Sequence, residues 1–543
     1  MKSMIKAARQ RILSLISSSF LLFTLTSLDF LSFGAKLLSS EKSHSRNIGN
    51  VSATMFLYST IAAQFVFGMF SGLGGVCAGA IFEAQKDTRK IHKLCFKMSS
   101  SLGEEISTTY ACIFLSTVLF ALFSYILKRF RIGNSLRYIP VSALYGVMVS
   151  IGIMSIECGY EEVYTMTWEY VNGCLVVTIG LALLAVALDI MFPAYFLMIP
   201  MLSFGIFAAF YIVFAVAGKD TEWMRSVGLI PKAEDINLDS FATLKLLRME
   251  NINVGAIKAN LMNILGLSLF NLVHIAVNVP SFAESFGLKA DLNKELGVQS
   301  VANIVSAFFG YPIYFICSTS IYFNKSGGRS RLHSLMGAVV ISSLLVVGGR
   351  IRESIPLILS GTIPMFIGFG FLYSYLWLPI FKLSWMDLVT LMLSAFVSWY
   401  LTPISGLVFG IATNLIYILR SSLGTNKSEG TKVNLELNEN VKSSNEIVEG
   451  EAYRIVDISS LTSFGDLNES VRTMKVLCRE NILFDLRGCG HFGVNANIAL
   501  EEVAEAIVNN GYKVLIVGSP TNLYTHLFRK YMIDPSSTTS LGK

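Results

Sequence analysis

Seven side chains stand in stretches whose other residues are almost wholly apolar. Asp29 lies in the first long apolar run, and Glu83 in a glycine-rich one, FGMFSGLGGVCAGAIFEAQ (Phe67–Gln85). His274 and Asn278 fall in HIAVNVP, while Ser318, Ser320 and Asn324 crowd GYPIYFICSTSIYFNKSGGRSR (Gly310–Arg331). Carboxylates can meet a cation or carry a proton, and hydroxyls, amides and an imidazole can orient a small solute by hydrogen bonds. The set suits binding rather than bond making. The sequence carries no phosphate-binding glycine loop, no metal-ligand cluster and no Ser/His/Asp arrangement, so neither a cofactor nor an enzyme activity is expected. Each residue also has a plainer role. Asp29 can bond Ser27 or Ser32 as packing glue, Glu83 can pair with Lys86 at the membrane face, and His274 can pack on an apolar surface. Asn278 can close a helix ahead of Val279-Pro280, and the serines and Asn324 can cap helix ends.

The elements that must position these groups are two interrupted segments. Gly310–Arg331 opens with Gly-Tyr-Pro and then gathers Ser318, Thr319 and Ser320. It is too short to span a bilayer and reads as a half-helix beginning at mid-membrane. Phe67–Gln85 follows a similar plan: five glycines between Gly68 and Gly79, a short extended piece, then small residues opening a helix. Broken segments at corresponding places in two halves point to an inverted-repeat transporter whose solute sits between them.

The rest of the chain supplies the setting. Of 543 residues, 53% are hydrophobic and 15% charged, where a soluble protein has about a quarter charged. Mean hydropathy is +0.57. This is a polytopic α-helical membrane protein, with candidate spans at 12–37, 51–71, 105–128, 137–157, 171–191 and 194–216 around a broken segment at 72–85. After a polar loop, 217–254, they continue at 255–279, 292–309, 333–349, 355–377, 385–400 and 402–420 around a second break at 311–325. That is seven crossings plus seven. The net charge of +6 is spread along the chain and does not imply nucleic acid. The eight cysteines form no CxxC and read as small core residues. Lys2–Arg11, Lys128–Arg137 and Lys325–Arg331 put both termini in the cytosol by the positive-inside rule; the loop Lys86–Lys97 disagrees, so either the first broken segment does not fully cross or this loop is an exception. Beyond residue 420 lies a polar linker, 421–450, and then a soluble α/β pattern, 451–543, with strands at Tyr453–Ile458, Ile482–Leu486 and Lys513–Val517 and helices at Asn497–Asn509 and Leu523–Tyr531.

The run Asp291–Arg331 resembles the signature of the sulfate-permease (SulP) superfamily: an acidic-Leu-Gly helix, Gly-x-Pro, a Ser-rich half-helix, Asn and Gly. The tail resembles that family's STAS domain, with Phe484-Asp485-Leu486, a glycine-rich turn and Lys513–Gly518. Leu28–Gly34, His274–Pro280 and Gly327–Arg331 are similar to a fungal vacuolar subgroup associated with basic amino acid transport. The resemblance implies fourteen spans in two inverted repeats, a core moving against a gate, and a homodimer. In anion-carrying members the second half-helix bears an arginine in a Ser-x-Ser-Arg-like run, and the matching position here is Ser320. The phosphorylatable Asp-Ser-Ser-Gly-like turn of some STAS domains is replaced by Cys489–Asn495, which puts that regulation in doubt.

A carboxylate at bilayer depth costs about 3 kcal/mol or more and is kept for pairing, protonation or function. Two acids and no arginine disfavour a bare dianion. Half-helix N-termini suit carboxylates, so a basic or zwitterionic amino acid fits both demands, carried by proton-coupled secondary transport at a vacuolar or plasma membrane. Two alternatives stand beside this: an inorganic anion (sulfate-like) carrier held by the backbone ends, and a transport-inactive sensor or scaffold working through the tail.

Overall fold

A computed structural model describes residues 2–32, 34, 38, 48–80, 84–131, 140–164, 168–193, 195, 197–231, 247–286, 288, 290–381, 383, 385–424, 445–448, 451–457, 481–485, 500, 504, 507–508 and 511–517. Among these, eight helices are long and apolar enough to cross a membrane, and three shorter apolar helices accompany them. The chain forms two compact units, Met1–Arg137 with Ile151–Phe371, and Tyr138–Ser150 with Leu372–Lys543.

The first unit begins with α1 (Lys2–Ser32) and α2 (Ile48–Phe70). The chain then turns through three glycines into a three-residue strand, β1 (Ala78–Ala80), and resumes as α3 (Gln85–Met98). Next come α4 (Leu102–Arg129), α5 (Val141–Tyr164, of which residues 151–164 belong here), α6 (Trp168–Met191), α7 (Met198–Val216) and a short α8 (Thr221–Ser226). The second break repeats the arrangement. After α9 (Val254–Ala259), α10 (Leu261–Ser285) and α11 (Leu292–Ala307), the chain forms β2 (Ile313–Phe315) and then α12 (Cys317–Lys325). Helices α13 (Arg331–Ser342), α14 (Leu344–Ser354) and α15 (Leu357–Leu372) follow. Phe30, Phe67, Phe120, Phe282, Phe315 and Phe323, each less than 3% exposed, form one core around the two strands.

Two expectations change here. Lys86–Lys97, read from its charges as a loop, lies within helix α3. Ile91, His92 and Cys95 form its buried side, while Lys90, Lys93 and Lys97, at helical spacing, face outward. The basic residues masked an amphipathic helix. The first span, set at 12–37, is a helix that ends at Ser32, so Asp29 occupies its last turn rather than its middle. Helix α10 also runs through Pro280 to Ser285, so Asn278 does not terminate it.

In the second unit, residues 141–150 of α5 pack with α16 (Trp385–Tyr400) and α17 (Pro403–Gly424). There Ser394 Oγ lies 3.0 Å from Ala143 O and 2.9 Å from Gly406 O. The tail forms a sheet in the order β3 (Asn445–Val448), β4 (Glu451–Asp457), β5 (Ile482–Asp485), β6 (Val514–Val517). The β3–β4 pair is antiparallel, and β4–β5 and β5–β6 are parallel. β3 falls inside the stretch read as linker. The two helices expected near residues 497–509 and 523–531 lie largely outside the described residues.

Candidate functional site

The two breaks meet. β1 and β2 pair antiparallel, with Ala78 opposite Phe315, Gly79 opposite Tyr314 and Ala80 opposite Ile313, and Ile316 N donates to Cys77 O at 3.0 Å. Three residues of ladder leave many backbone groups to be satisfied deep inside a membrane protein, where each one left bare is costly. Polar side chains from surrounding helices meet that need. Gln64 of α2 donates to Val76 O (2.8 Å) and accepts from Ala78 N (2.7 Å). Asn303 of α11 treats Ile313 in the same way, accepting from its N–H (2.9 Å) and donating to its carbonyl (2.8 Å), which Gln299 Nε2 also reaches. Ser334 of α13 accepts from Val76 N, and Thr117 of α4 donates to Gly310 O.

Three of the residues singled out in the sequence belong to this framework. Ser320 Oγ accepts from Cys77 N (2.9 Å) and donates to Ile316 O (2.6 Å). Asn324 Nδ2 donates to Gly75 O (2.7 Å), and Asn278 Nδ2 to Phe315 O (3.1 Å). The first two tie the second half-helix to the backbone of the first break. None of them caps its own helix.

Ser318 is placed differently. It lies exposed in the first turn of α12, whose N-cap Ile316 offers no side-chain acceptor. The N–H groups of residues 317–319 have no partner among the described residues, so a positive helix end with a free hydroxyl is presented beside the strands. No cationic side chain precedes Lys325 on this helix. Asp29 is partly exposed and has no hydrogen-bond or ion-pair partner among the described residues; its helix packs on α12 and α13. His274 is 3% exposed, its ring 5.0 Å from that of Tyr314 on β2 and 4.9 Å from Phe270, with Nε2 unbonded among the described residues. Glu83 lies outside the described residues. Asn271, one turn before His274, is fully buried with both amide atoms unbonded among the described residues, and the sequence reading missed it. An amide within a mostly apolar stretch was the available signal for Asn271, Gln64 and Asn303 alike.

The family model described as the sulfate permease family matches residues 44–394. The chain belongs to that family. It is a multi-pass membrane protein, and the family is one of transporters rather than enzymes. In Saccharomyces cerevisiae, the vacuolar basic amino acid transporter VSB1 is 22% identical over 404 residues, which is 71% of this chain and 39% of the yeast protein. The chain thus matches about two fifths of that relative's length. Among solved structures, SLC26A9 superposes with a TM-score of 0.57 at 13% identity, covering 95% of this chain and 86% of the other. The murine Slc26a9 anion transporter in the inward-facing state gives 0.56 at 13%, covering 96% and 88%. The transmembrane domain of the cyanobacterial bicarbonate transporter BicA gives 0.51 at 14%, covering 74% and 97%. At these identities the likeness establishes the fold.

Proposed function

We propose that this sulfate-permease-family member is a secondary active transporter of a basic or zwitterionic amino acid, coupled to protons and working by alternating access. The observation that carries the reading is the uncapped start of α12 beside the paired strands. A solute α-carboxylate meets the free N–H groups and Ser318, and its cationic group meets Asp29 or Glu83. No cationic side chain precedes Lys325 on α12 to neutralise an inorganic anion, and Asp29, without a partner among the described residues, supplies the opposite charge. The name of the yeast relative supports the same solute class and a vacuolar membrane; the distribution of basic residues supports both termini in the cytosol.

The long and short apolar helices, α11 and the two strand-plus-helix segments together make fourteen crossings. Gln64 and Asn303, each on the helix before its break and each gripping the strand that follows, support two inverted repeats of seven. We assign residues 451–543 to a STAS-like cytosolic domain and the working assembly to a homodimer. His274, Asn278, Ser320 and Asn324 complete the site as its supporting wall.

Labelled arginine, lysine, sulfate and nitrate are offered to vesicles containing the wild type or Asp29→Asn. Uptake of arginine or lysine that falls about tenfold or more in the variant is expected, since a lost charge partner is worth on the order of 1.4 kcal/mol or more. Sulfate uptake indifferent to Asp29→Asn, with no amino acid signal, would favour the anion carrier and end the amino acid reading.

A further inference from the structure

A second polar cluster lies away from the strands. His92 of α3 and Glu105 of α4 are both 0% exposed, with Nε2 and Oε1 2.8 Å apart. His92 Nδ1 is buried and has no partner among the described residues. Beside the pair, Cys95 Sγ lies 3.9 Å from Cys112 Sγ, and Asn260 Nδ2 donates to Ile91 O and to Cys95 Sγ. Along α4, Thr109 and Ser116 share the helical face of Glu105 at spacings of four and eleven. Both hydroxyls are buried: Thr109 faces Cys95, and Ser116 Oγ has no partner among the described residues. Helix α10, packed on α3 and α4, adds Asn271 and His274 Nε2, and the latter ring rests on Tyr314 of β2. Buried polar atoms are normally satisfied by protein or water, so a run of them between two packed helices is a place for water and for a proton in transit.

The chemistry of the pair is specific. With Glu105 ionised and His92 neutral, Nε2–H donates to the carboxylate and Nδ1 holds a bare lone pair, giving net charge −1. One proton from water, bound at Nδ1 or shared across the 2.8 Å contact, makes the pair neutral without breaking that contact. A net charge is costly to hold between packed helices, and water at α3 lowers that cost. The other titratable groups described nearby have contacts of their own, and Cys95 also feels the Glu105 charge. Glu104 of α4 accepts from Ser100 N and Asn253 Nδ2; Cys112 faces Cys95. On α3, Lys93 is exposed and Asp87 meets Lys90, and on α9, Lys258 is exposed.

We propose that His92–Glu105 is a proton-binding site built into the first half-helix, filled while α3 is packed and emptied when α3 meets water, so that helix movement carries the proton. This rests on the reading of the protein as a proton-coupled transporter.

The test uses full-length protein in liposomes with labelled arginine, lysine and sulfate, continued with whichever solute the wild type moves. Solute exchange at equal pH is compared with net uptake driven by a pH gradient, for wild type, His92→Gln, Glu105→Gln and the exposed-face control Lys93→Gln. The ratio of driven to exchange flux falls about tenfold in both pair variants, the size of a common coupling free energy, and holds in Lys93→Gln. An undriven wild type, or an unchanged ratio in both pair variants, overturns the proposal. Should His92→Gln aggregate, Glu105→Gln, which keeps an amide oxygen toward Nε2, decides alone.

A wild type that moves none of the three solutes refutes the solute assignment, and the pair is then judged without solute. Purified wild type stepped from about pH 5 to pH 8 releases about one proton more than Glu105→Gln, read with an indicator dye. Equal release overturns the proposal.

Discussion

Polar side chains buried in apolar helices do two kinds of work here, separable by what they bond. Gln64 is fully buried and bonds three backbone groups, Val76 O, Ala78 N and Ser334 O. Gln64→Leu fills similar space but strips those groups of partners. At about 1–3 kcal/mol for each buried group left unsatisfied, a lower melting temperature is expected in a thermal melt of detergent-purified protein. Ser318→Ala is the contrast. Its hydroxyl is exposed and bonds nothing described, so the melt holds while the apparent affinity for the transported solute weakens roughly fivefold, one ordinary hydrogen bond. A melt lowered by Ser318→Ala, or untouched by Gln64→Leu, contradicts this division. The sequence made Ser320 and Asn324 conspicuous because hydroxyl and amide groups are rare in such runs. It could not say that their partners are Cys77 and Gly75, because that contact exists only once two distant segments pair.

At the scale of elements, the crossing of the two breaks depends on glycine at one narrow place. Gly75 has φ +58°, and a Cβ there would lie 2.6 Å from Asn324 Nδ2 and press on Gly328 O. Left-handed backbone on a non-glycine residue costs about 1–3 kcal/mol before any clash, and Gly328 is backbone that cannot swing aside. Gly75→Ala is therefore expected to cut both folded yield and transport, assessed by size-exclusion profile and vesicle uptake. Gly180→Ala, in α6 with open space around it, should leave both unchanged. Equal tolerance at the two positions would show that the close crossing is not required. Both breaks were legible because Gly72, Gly74 and Gly75 in one, and Gly310 with Pro312 in the other, interrupt apolar sequence within a few residues. Helix α3 was not, because five cations in twelve residues outweighed the periodicity of Ile91, His92 and Cys95. The pair His92–Glu105 stayed hidden with it: a histidine among lysines looks like surface until the opposite face of its helix is known to be buried.

At the scale of the whole molecule, we propose that the tail folds by itself and begins at β3. Phe484 and Ile516 are fully buried, and Leu500, Ala504 and Ile507 are buried with them, a small core drawn from residues beyond the last membrane helix. Short apolar, β-branched runs in Tyr453–Ile458, Ile482–Leu486 and Lys513–Val517 made three of the strands legible. β3 was not, since four residues of mixed polarity amid a polar run have no period to detect. Yet β3 covers the outer edge of β4 with an antiparallel ladder from Asn445–Arg454 to Val448–Glu451. A fragment of residues 441–543 is expected to be monomeric and to melt cooperatively. A fragment of residues 451–543 leaves β4 as an open edge whose unpaired N–H and C=O groups recruit another strand, so it should self-associate. Light scattering and circular dichroism melts distinguish the outcomes. Two fragments equally monomeric and stable would make β3 dispensable, and two unfolded fragments would mean that the sheet needs the membrane unit to form.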